Sequence, residues 1–205
     1  MGNISFKINS SYNDEIYHEF KTKYIDNTYF ENIMSVKKRI CENKEAINSK
    51  IINSFNEACI KACEMQKEDR IGDIRYIYFS YLRTNLIKYS ADYLIEFFDE
   101  RWMYCKEECT GEFDMDFVYS DFFKTINNAK ESKGKYGRFI TDMDIEKIMI
   151  KEGDKYNNFA VDYIKNMILE IVDTDGYKKL KKSSKLQIFM GEYHDKVRVL
   201  YLDKN

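Results

Sequence analysis

The chain has 205 residues, of which 44% are hydrophobic and 16% aromatic, enough to build a folded core and to exclude wholesale disorder. Its formal net charge is −2, which disfavours a general nucleic-acid binder, because such proteins carry an excess of basic residues. Proline is absent and glycine occurs eight times, so long uninterrupted helices are favoured.

Two features of the chain bear on where the protein acts. The N-terminal sequence has no apolar run of signal-peptide length, and no segment approaches the length of a membrane span. We therefore expect a cytoplasmic protein without a membrane partner. Its five cysteines are expected to be free thiols, since cytosolic thiols stay reduced. We expect one domain over residues 1–205, and the only candidate seam is the polar, glycine-containing segment 130–138.

The first third of the chain predicts a short strand and two helices. Apolar residues at positions 4, 6 and 8 alternate with polar ones, which indicates an edge strand. A capping box at residues 11–14 predicts the start of a first helix. A second box precedes a long amphipathic stripe, which predicts a helix over residues 28–66 with a break near Glu42.

Residues 71–104 are dense in tyrosine and phenylalanine and hold the single tryptophan. Apolar and polar positions alternate, which predicts an antiparallel β-meander. Residues 73–83 also fit a helical stripe, so a helix is the alternative for the first strand. Alternation resumes over residues 101–105, which predicts the last strand, and residues 109–111 are expected to close the meander.

The last ninety residues predict three helices and a hairpin. A helix should begin at Asp114 or Asp116, and a capping box at Thr141 should open a second one that ends near residue 173. A short lysine-rich helix follows, and residues 186–193 and 197–202 form the arms of a hairpin that turns at His194. The predicted fold class is α+β, with long amphipathic helices packed on an antiparallel meander and a C-terminal β-hairpin that extends the sheet.

The sequence contains no known catalytic motif. His18 and His194 are the only histidines, and neither lies near a recognised nucleophile. Two cysteine pairs, Cys59 with Cys63 and Cys105 with Cys109, are each four residues apart. Structural zinc sites usually place two residues between paired cysteines, so we expect neither a metal nor another cofactor. A non-enzymatic function is favoured.

Two basic segments offer anion-binding alternatives. Residues 133–138 combine glycine with basic residues and could cradle a phosphate, but they lack the Walker pattern, so a loop is favoured. The lysine patch over residues 178–185 is a candidate for weak nucleic-acid binding. Cations near a helix C-terminus also suit the helix dipole, and this structural interpretation is favoured. The members of the patch are Lys178, Lys179, Lys181, Lys182 and Lys185.

The meander carries the candidate binding site. Tryptophan, tyrosine and arginine dominate the energetics of protein interfaces, and here charged residues lie among aromatic ones. The alternative is that these aromatic residues only support the helices. Arg101 is expected to pair with Glu96 or Asp99. Strand alternation would place Arg101 and Trp102 on opposite sides of the same strand. The predicted site residues are Arg75, Glu96, Asp99, Arg101 and Trp102.

Three functions are consistent with these observations. The favoured one is a protein-interaction module, such as an adaptor, an inhibitor or an immunity-type protein, whose partner is another protein. The second is a small-ligand-binding protein or enzyme with an arginine and carboxylate site on the meander. The third is a weak nucleic-acid binder that uses the lysine patch.

Overall fold

The computed structural model describes the backbone of residues 3–104, 107–193 and 195–203, and the side chains of these residues except 3–12 and 103. The α-helices are α1 (Asn3–Tyr24), α2 (Tyr29–Lys67), α3 (Arg83–Ile87), α4 (Asp116–Ser132), α5 (Asp142–Val172) and α6 (Asp175–Lys179). The strands are β1 (Ile74–Tyr81), β2 (Asp92–Phe98), β3 (Thr110–Asp114), β4 (Lys182–Glu192) and β5 (Val197–Leu202). The predicted α+β class is confirmed.

The five strands form one mixed sheet in the order β3-β2-β1-β4-β5. β1, β2 and β3 make the predicted antiparallel meander. The C-terminal hairpin extends it, because β4 pairs with β1 in parallel and β5 pairs with β4 antiparallel. In this register Tyr78 at the centre of β1 lies between Glu96 of β2 and Phe189 of β4. Of the two alternatives for residues 73–83, the strand is therefore correct.

The N-terminal strand prediction is wrong, because residues 3–24 form the single helix α1. Ile4 and Ile8 are four residues apart and so fit a helical face as well as alternation, and this short segment does not distinguish the two periods. The predicted capping box at residues 11–14 lies inside the helix rather than at its start.

The third strand of the meander also lies further along the chain than predicted. Residues 101–104 form a turn and a 3-10 helix, and the strand is Thr110–Asp114. Gly111, expected to end the meander, is instead a point of close packing against α2. A β-carbon there would lie 2.6 Å from the β-carbon of Ala58, so only glycine fits.

One face of the sheet packs against the long helices. The ring of Phe55 in α2 lies 5.6 Å from Phe79 of β1 and 6.4 Å from Phe97 of β2, measured between centroids. Tyr93 of β2 meets Tyr119 of α4, with hydroxyl oxygens 2.9 Å apart. Helices α2, α4 and α5 thus form one layer and the sheet a second, which is a common solution for burying apolar faces.

The two longest helices follow the sequence signals closely. α2 covers the predicted 28–66 segment, and its predicted break is the non-helical backbone at Asn43. α5 begins with the predicted capping box, in which Thr141 and Asp144 exchange side-chain and backbone hydrogen bonds. Gly153, in the middle of α5, lets α3 approach, since a β-carbon there would lie 2.4 Å from Leu86 Cδ2.

Residues 130–138, the candidate seam, form the end of α4 and a 3-10 segment over Lys133–Phe139. In this segment Tyr136 packs on Phe20 of α1, with centroids 5.1 Å apart. The assignment of residues 1–205 to one domain remains a prediction. No helix in the described ranges is both long and apolar enough to cross a membrane.

Asp121 in α4 links this helix to α2 and makes stability sensitive to acid. Its carboxylate accepts hydrogen bonds from Arg39 Nη2 at 2.6 Å and from Ser35 Oγ at 2.8 Å. Burial would raise the pKa of Asp121, but hydrogen bonds from Lys124, Ser35 and Arg39 outweigh it and lower the pKa to about 2. The ionised carboxylate therefore stabilises the folded state.

Asp121→Asn is expected to lower the free energy of unfolding by about 2 kcal/mol at neutral pH, as a shift of this size implies. Since the folded pKa lies below the unfolded one, this contribution is complete above about pH 5 and is lost as the pH falls toward about 2. Urea unfolding of the wild type and of Asp121→Asn, at several pH values from neutral to acid, measures this contribution to the free energy of unfolding. If the two proteins differ in free energy of unfolding by the same amount at neutral pH and at about pH 2, this role of Asp121 is contradicted.

Candidate functional site

The outer face of the sheet, turned away from α2 and α5, is rich in aromatic side chains. Side chains alternate across a strand, so the residues that alternate with those facing the helices share this face. Its β5 edge is well exposed: Val199 is 47% and Leu202 50% exposed. The members of the outer face are Tyr76, Tyr78 and Ser80 of β1, Leu94, Glu96 and Phe98 of β2, Gln187 and Phe189 of β4, and Val197, Val199 and Leu202 of β5.

Trp102 joins an aromatic cluster on this face. Its ring centroid lies 4.4 Å from that of Tyr76, 5.4 Å from Tyr78 and 5.8 Å from Phe98. Phe189 of β4 stacks on Tyr78, with centroids 4.9 Å apart. Aromatic pairs attract at these separations, so the rings of the cluster stabilise one another.

The turn after β2 positions Trp102, and Asp99 builds that turn. The Asp99 carbonyl accepts a hydrogen bond from the Trp102 N–H at 3.1 Å, and its carboxylate accepts from the N–H groups of Arg101 and Gly72 at 2.8 and 2.9 Å. The Arg101 guanidinium also donates to the carboxylate, with Nε 2.9 Å from Oδ2. Trp102 has a φ of 54°, a left-handed conformation that costs roughly 1–2 kcal/mol. The turn's hydrogen bonds and the ring cluster hold it there.

A pocket of about 220 Å³ opens in the outer face between β1, β2 and the turn that joins β4 to β5. Glu96 contributes a carboxylate to its lining although it is only 9% exposed. Ser80 Oγ donates a 2.7 Å hydrogen bond to Glu96 Oε2, which orients that carboxylate. The pocket is lined by Tyr78, Ser80, Glu96, Phe98, Trp102, Tyr193, Asp195 and Val197.

Burial, with smaller contributions from neighbouring groups, raises the pKa of two phenols in this pocket. Burial, together with Tyr76 and the charge of Glu96, raises the pKa of Tyr78 to about 12. Burial and the charges of Glu96 and Glu108 likewise raise the pKa of Tyr193. Both phenols therefore stay neutral at physiological pH and can donate hydrogen bonds.

The structure does not bring the five predicted site residues together into one site. Glu96 and Trp102 line the pocket on the outer face. Asp99 and Arg101 pair with each other, as predicted for Arg101, and hold the turn behind Trp102. Arg75 pairs with Glu100 at 3.1 Å. The predicted placement of Arg101 and Trp102 on opposite sides of a strand is wrong, because this segment is a turn.

The turn also borders a polar groove of about 510 Å³ at the start of β1 and β4. The groove brings predicted site residues close to the lysine patch, but its charges are largely matched internally. Asp99 pairs with Arg101, and Lys182 lies 3.6 Å from Asp203. Its lining residues are Gly72, Asp73, Asp99, Glu100, Arg101, Lys182, Ser183 and Ser184.

Several pocket residues were not predicted from the sequence. Tyr193, Asp195 and Val197 come from the C-terminal hairpin, more than ninety residues after β2. Strand alternation in β1 and β2 places Tyr78, Ser80 and Phe98 on the same face as Glu96. This alternation is the sequence signal that could have identified them as pocket residues. Nothing in the sequence specifies the parallel pairing of β1 with β4 that brings the hairpin beside them.

The remaining candidates are distant from this pocket or lie outside the described residues. His18 is exposed on α1, and His194 and Cys105 lie outside the described ranges. Burial raises the pKa of Cys59, with smaller contributions from Cys63 and Cys109. Within the described ranges no three histidine, cysteine, aspartate or glutamate side chains are placed to hold a metal ion, and the absence of a cofactor remains a prediction.

Two members of the lysine patch have acidic partners. Lys178 lies 2.7 Å from Asp173, and Lys182 lies near Asp203 and over the ring of Tyr177, 4.3 Å from its centroid. Residues 133–138, for which a phosphate site was the alternative to a loop, lie in a 3-10 segment, and Lys133 pairs there with Asp142. These pairings reduce the positive charge available for a nucleic acid.

Comparison of the chain with protein-family models, with curated proteins and with solved structures gave no match. Functional inference therefore depends on the geometry and chemistry of the outer face.

Proposed function

We propose that this protein is a non-enzymatic interaction module whose outer face binds a partner protein. The observation that carries the proposal is the packed aromatic cluster around Trp102, continuous with exposed apolar residues of β5. A large apolar patch at a surface usually marks an interaction site. Tyrosine and tryptophan are the residues that most often dominate interface energetics.

Charge indicates what kind of partner fits this face. Asp195 lines the pocket and Glu112 on β3 lies across from Leu94 on the same face, and both side chains are exposed. An acidic, aromatic surface complements a partner that presents basic side chains. The same carboxylates repel phosphates, so the aromatic cluster is poorly suited to stacking the bases of a single-stranded nucleic acid.

A lysine at the centre of the exposed apolar edge tests this proposal. Val199→Lys is expected to abolish co-purification of a stoichiometric partner from cells that produce the protein, because the new cation repels a basic partner and interrupts the apolar patch. Lysine is well tolerated on edge strands, so folding should be preserved.

The matched control is Met143→Lys, which places the same charge at a 64% exposed position in the helical layer. This variant should retain the partner at the wild-type level. Equal retention by both variants, with both folded by circular dichroism, would exclude the outer face as the binding surface.

A further inference from the structure

We infer that the partner of the outer face is a second copy of this chain, so that two outer faces pack against each other across a two-fold axis. This inference rests on the proposed function and specifies the partner of the same face. Two observations support it. Opposite charges stand at the two ends of the hairpin formed by β4 and β5, and the surface between these charges is apolar.

Each end of the hairpin presents one exposed charge on the outer face. Asp195, in the turn between the strands, lines the outer-face pocket, and its side chain is exposed. Lys185 at the other end is also exposed, and it precedes the fully buried Leu186, so strand alternation turns Lys185 to the outer face. Within the described ranges neither charged side chain forms an ion pair, so both are available to a partner.

Apolar side chains occupy the surface between these two charges. Phe189 of β4 lies across from Val199 of β5 at the middle of the hairpin. Val197 continues this surface toward the turn, and Leu202 continues it toward the other end. The three β5 side chains are exposed. A continuous apolar surface of this kind favours burial against another apolar surface.

This order of side chains is self-complementary. At about 3.3 Å per residue, Lys185 and Asp195 stand roughly 25 Å apart, with Val199 near the midpoint. A two-fold axis between the two sheets, perpendicular to the strands near Val199, runs the strands of the two copies in opposite directions. It places Lys185 of each copy over Asp195 of the other, and the two-fold symmetry makes this contact twice. Strands that run in the same direction would instead stack like charges, which disfavours that alignment.

The outer face is also large enough for a specific dimer. Five strands about 4.8 Å apart and about six residues long cover roughly 24 by 20 Å. Two such faces bury about 1,000 Å² before the relief of their side chains is added, which reaches the lower limit of specific interfaces. Interfaces of this size are weak, so we expect a dissociation constant on the order of 10 μM.

Sedimentation equilibrium of the purified chain, from about 1 to about 100 μM, measures this dimer. Lys185→Glu and Asp195→Lys each bring like charges together at both copies of the contact, and each should raise the dissociation constant about tenfold or more. Lys147→Glu is the matched control. It reverses the same charge at an exposed position of α5 in the helical layer and should change the dissociation constant by less than about twofold.

An equimolar mixture of the two variants tests whether these residues face each other between copies. In a mixed dimer the Lys185→Glu chain faces the Asp195→Lys chain, and both contacts join opposite charges again. The mixture should therefore dimerise within about threefold of the wild-type affinity, whereas each variant alone stays mostly monomeric at the same concentration. Recovery within one chain is excluded, since the two positions are roughly 25 Å apart.

Three results would reject a second copy as the partner. These are a monomer over the whole concentration range, a dimer that Lys185→Glu or Val199→Lys leaves unchanged, or no recovery in the mixture. A monomer that still captures a different protein, which Val199→Lys loses, would refute this inference and leave the proposed function intact. Capture of that protein at the same level by Val199→Lys and Met143→Lys would refute the proposed function as well.

Discussion

Replacing Phe55 with alanine should lower the free energy of unfolding by about 3–5 kcal/mol, the range for deletion of a buried aromatic ring. Phe55 is 1% exposed and joins α2 to the sheet. Its ring contacts Phe79, Phe97 and Tyr177, with centroids 5.6, 6.4 and 6.1 Å away. The substitution removes these contacts and leaves a cavity between the helical layer and the strands that support the outer face.

Phe30→Ala provides a control in the same helix with the same change of side chain. Phe30 is 73% exposed, so its replacement should alter the free energy of unfolding by no more than about 0.5 kcal/mol. Guanidinium unfolding of both variants gives the comparison. Similar losses for the two substitutions would show that α2 does not pack on the sheet through the Phe55 face.

Asp99→Ala should lower the free energy of unfolding by about 2–3 kcal/mol, because it removes a buried carboxylate that accepts hydrogen bonds from three donor groups of the turn. Asp99 is 3% exposed, and its carboxylate accepts hydrogen bonds from the N–H groups of Gly72 and Arg101 and from the Arg101 guanidinium. Burial would raise the pKa of Asp99, but these hydrogen bonds and the charge of Arg101 lower it instead. The stabilisation is therefore present above the unfolded pKa and lost in acid.

The same substitution should also disturb the outer face. Asp99 holds the turn in which Trp102 adopts its left-handed backbone, so losing the carboxylate frees the indole ring from Tyr76 and shifts Trp102 emission to longer wavelength. Arg101→Ala is the control: the Arg101 side chain is 54% exposed, so this pair contributes about 1 kcal/mol or less. Equal stability of Asp99→Ala and wild type, with unchanged emission, would contradict the structural role of this turn.

The long helices could be predicted from sequence because their signals are local. Thr141 and Asp144 lie within one turn of each other, and the apolar stripe of α2 repeats along its length. The third strand could not be placed, because Gly111 looks like a turn residue until Ala58 of α2 is known to pack against it. The packing partner, which lies far away in the chain, decides the role of this glycine.

Only part of the candidate site could be predicted, because the other part depends on residues that are distant in the sequence. Glu96 and Trp102 lie in one aromatic stretch, and their neighbours in the sequence indicate an interaction surface. Asp99 looked equivalent to Glu96, but its carboxylate is used to build a turn. The rest of the pocket depends on a parallel strand pairing that places Glu192 beside Tyr81, and no local pattern specifies such a pairing.

Photo-crosslinking in cells that produce the protein would test the outer face most directly. With the photoreactive residue p-benzoylphenylalanine in place of Val199, we predict one discrete covalent adduct with a partner protein, and Trp102→Ala should reduce its yield by removing the centre of the ring cluster. The same residue in place of Met143, on the helical layer, should give no such adduct. An adduct from position 143 with none from position 199 would contradict the assignment of the outer face as the partner-binding surface.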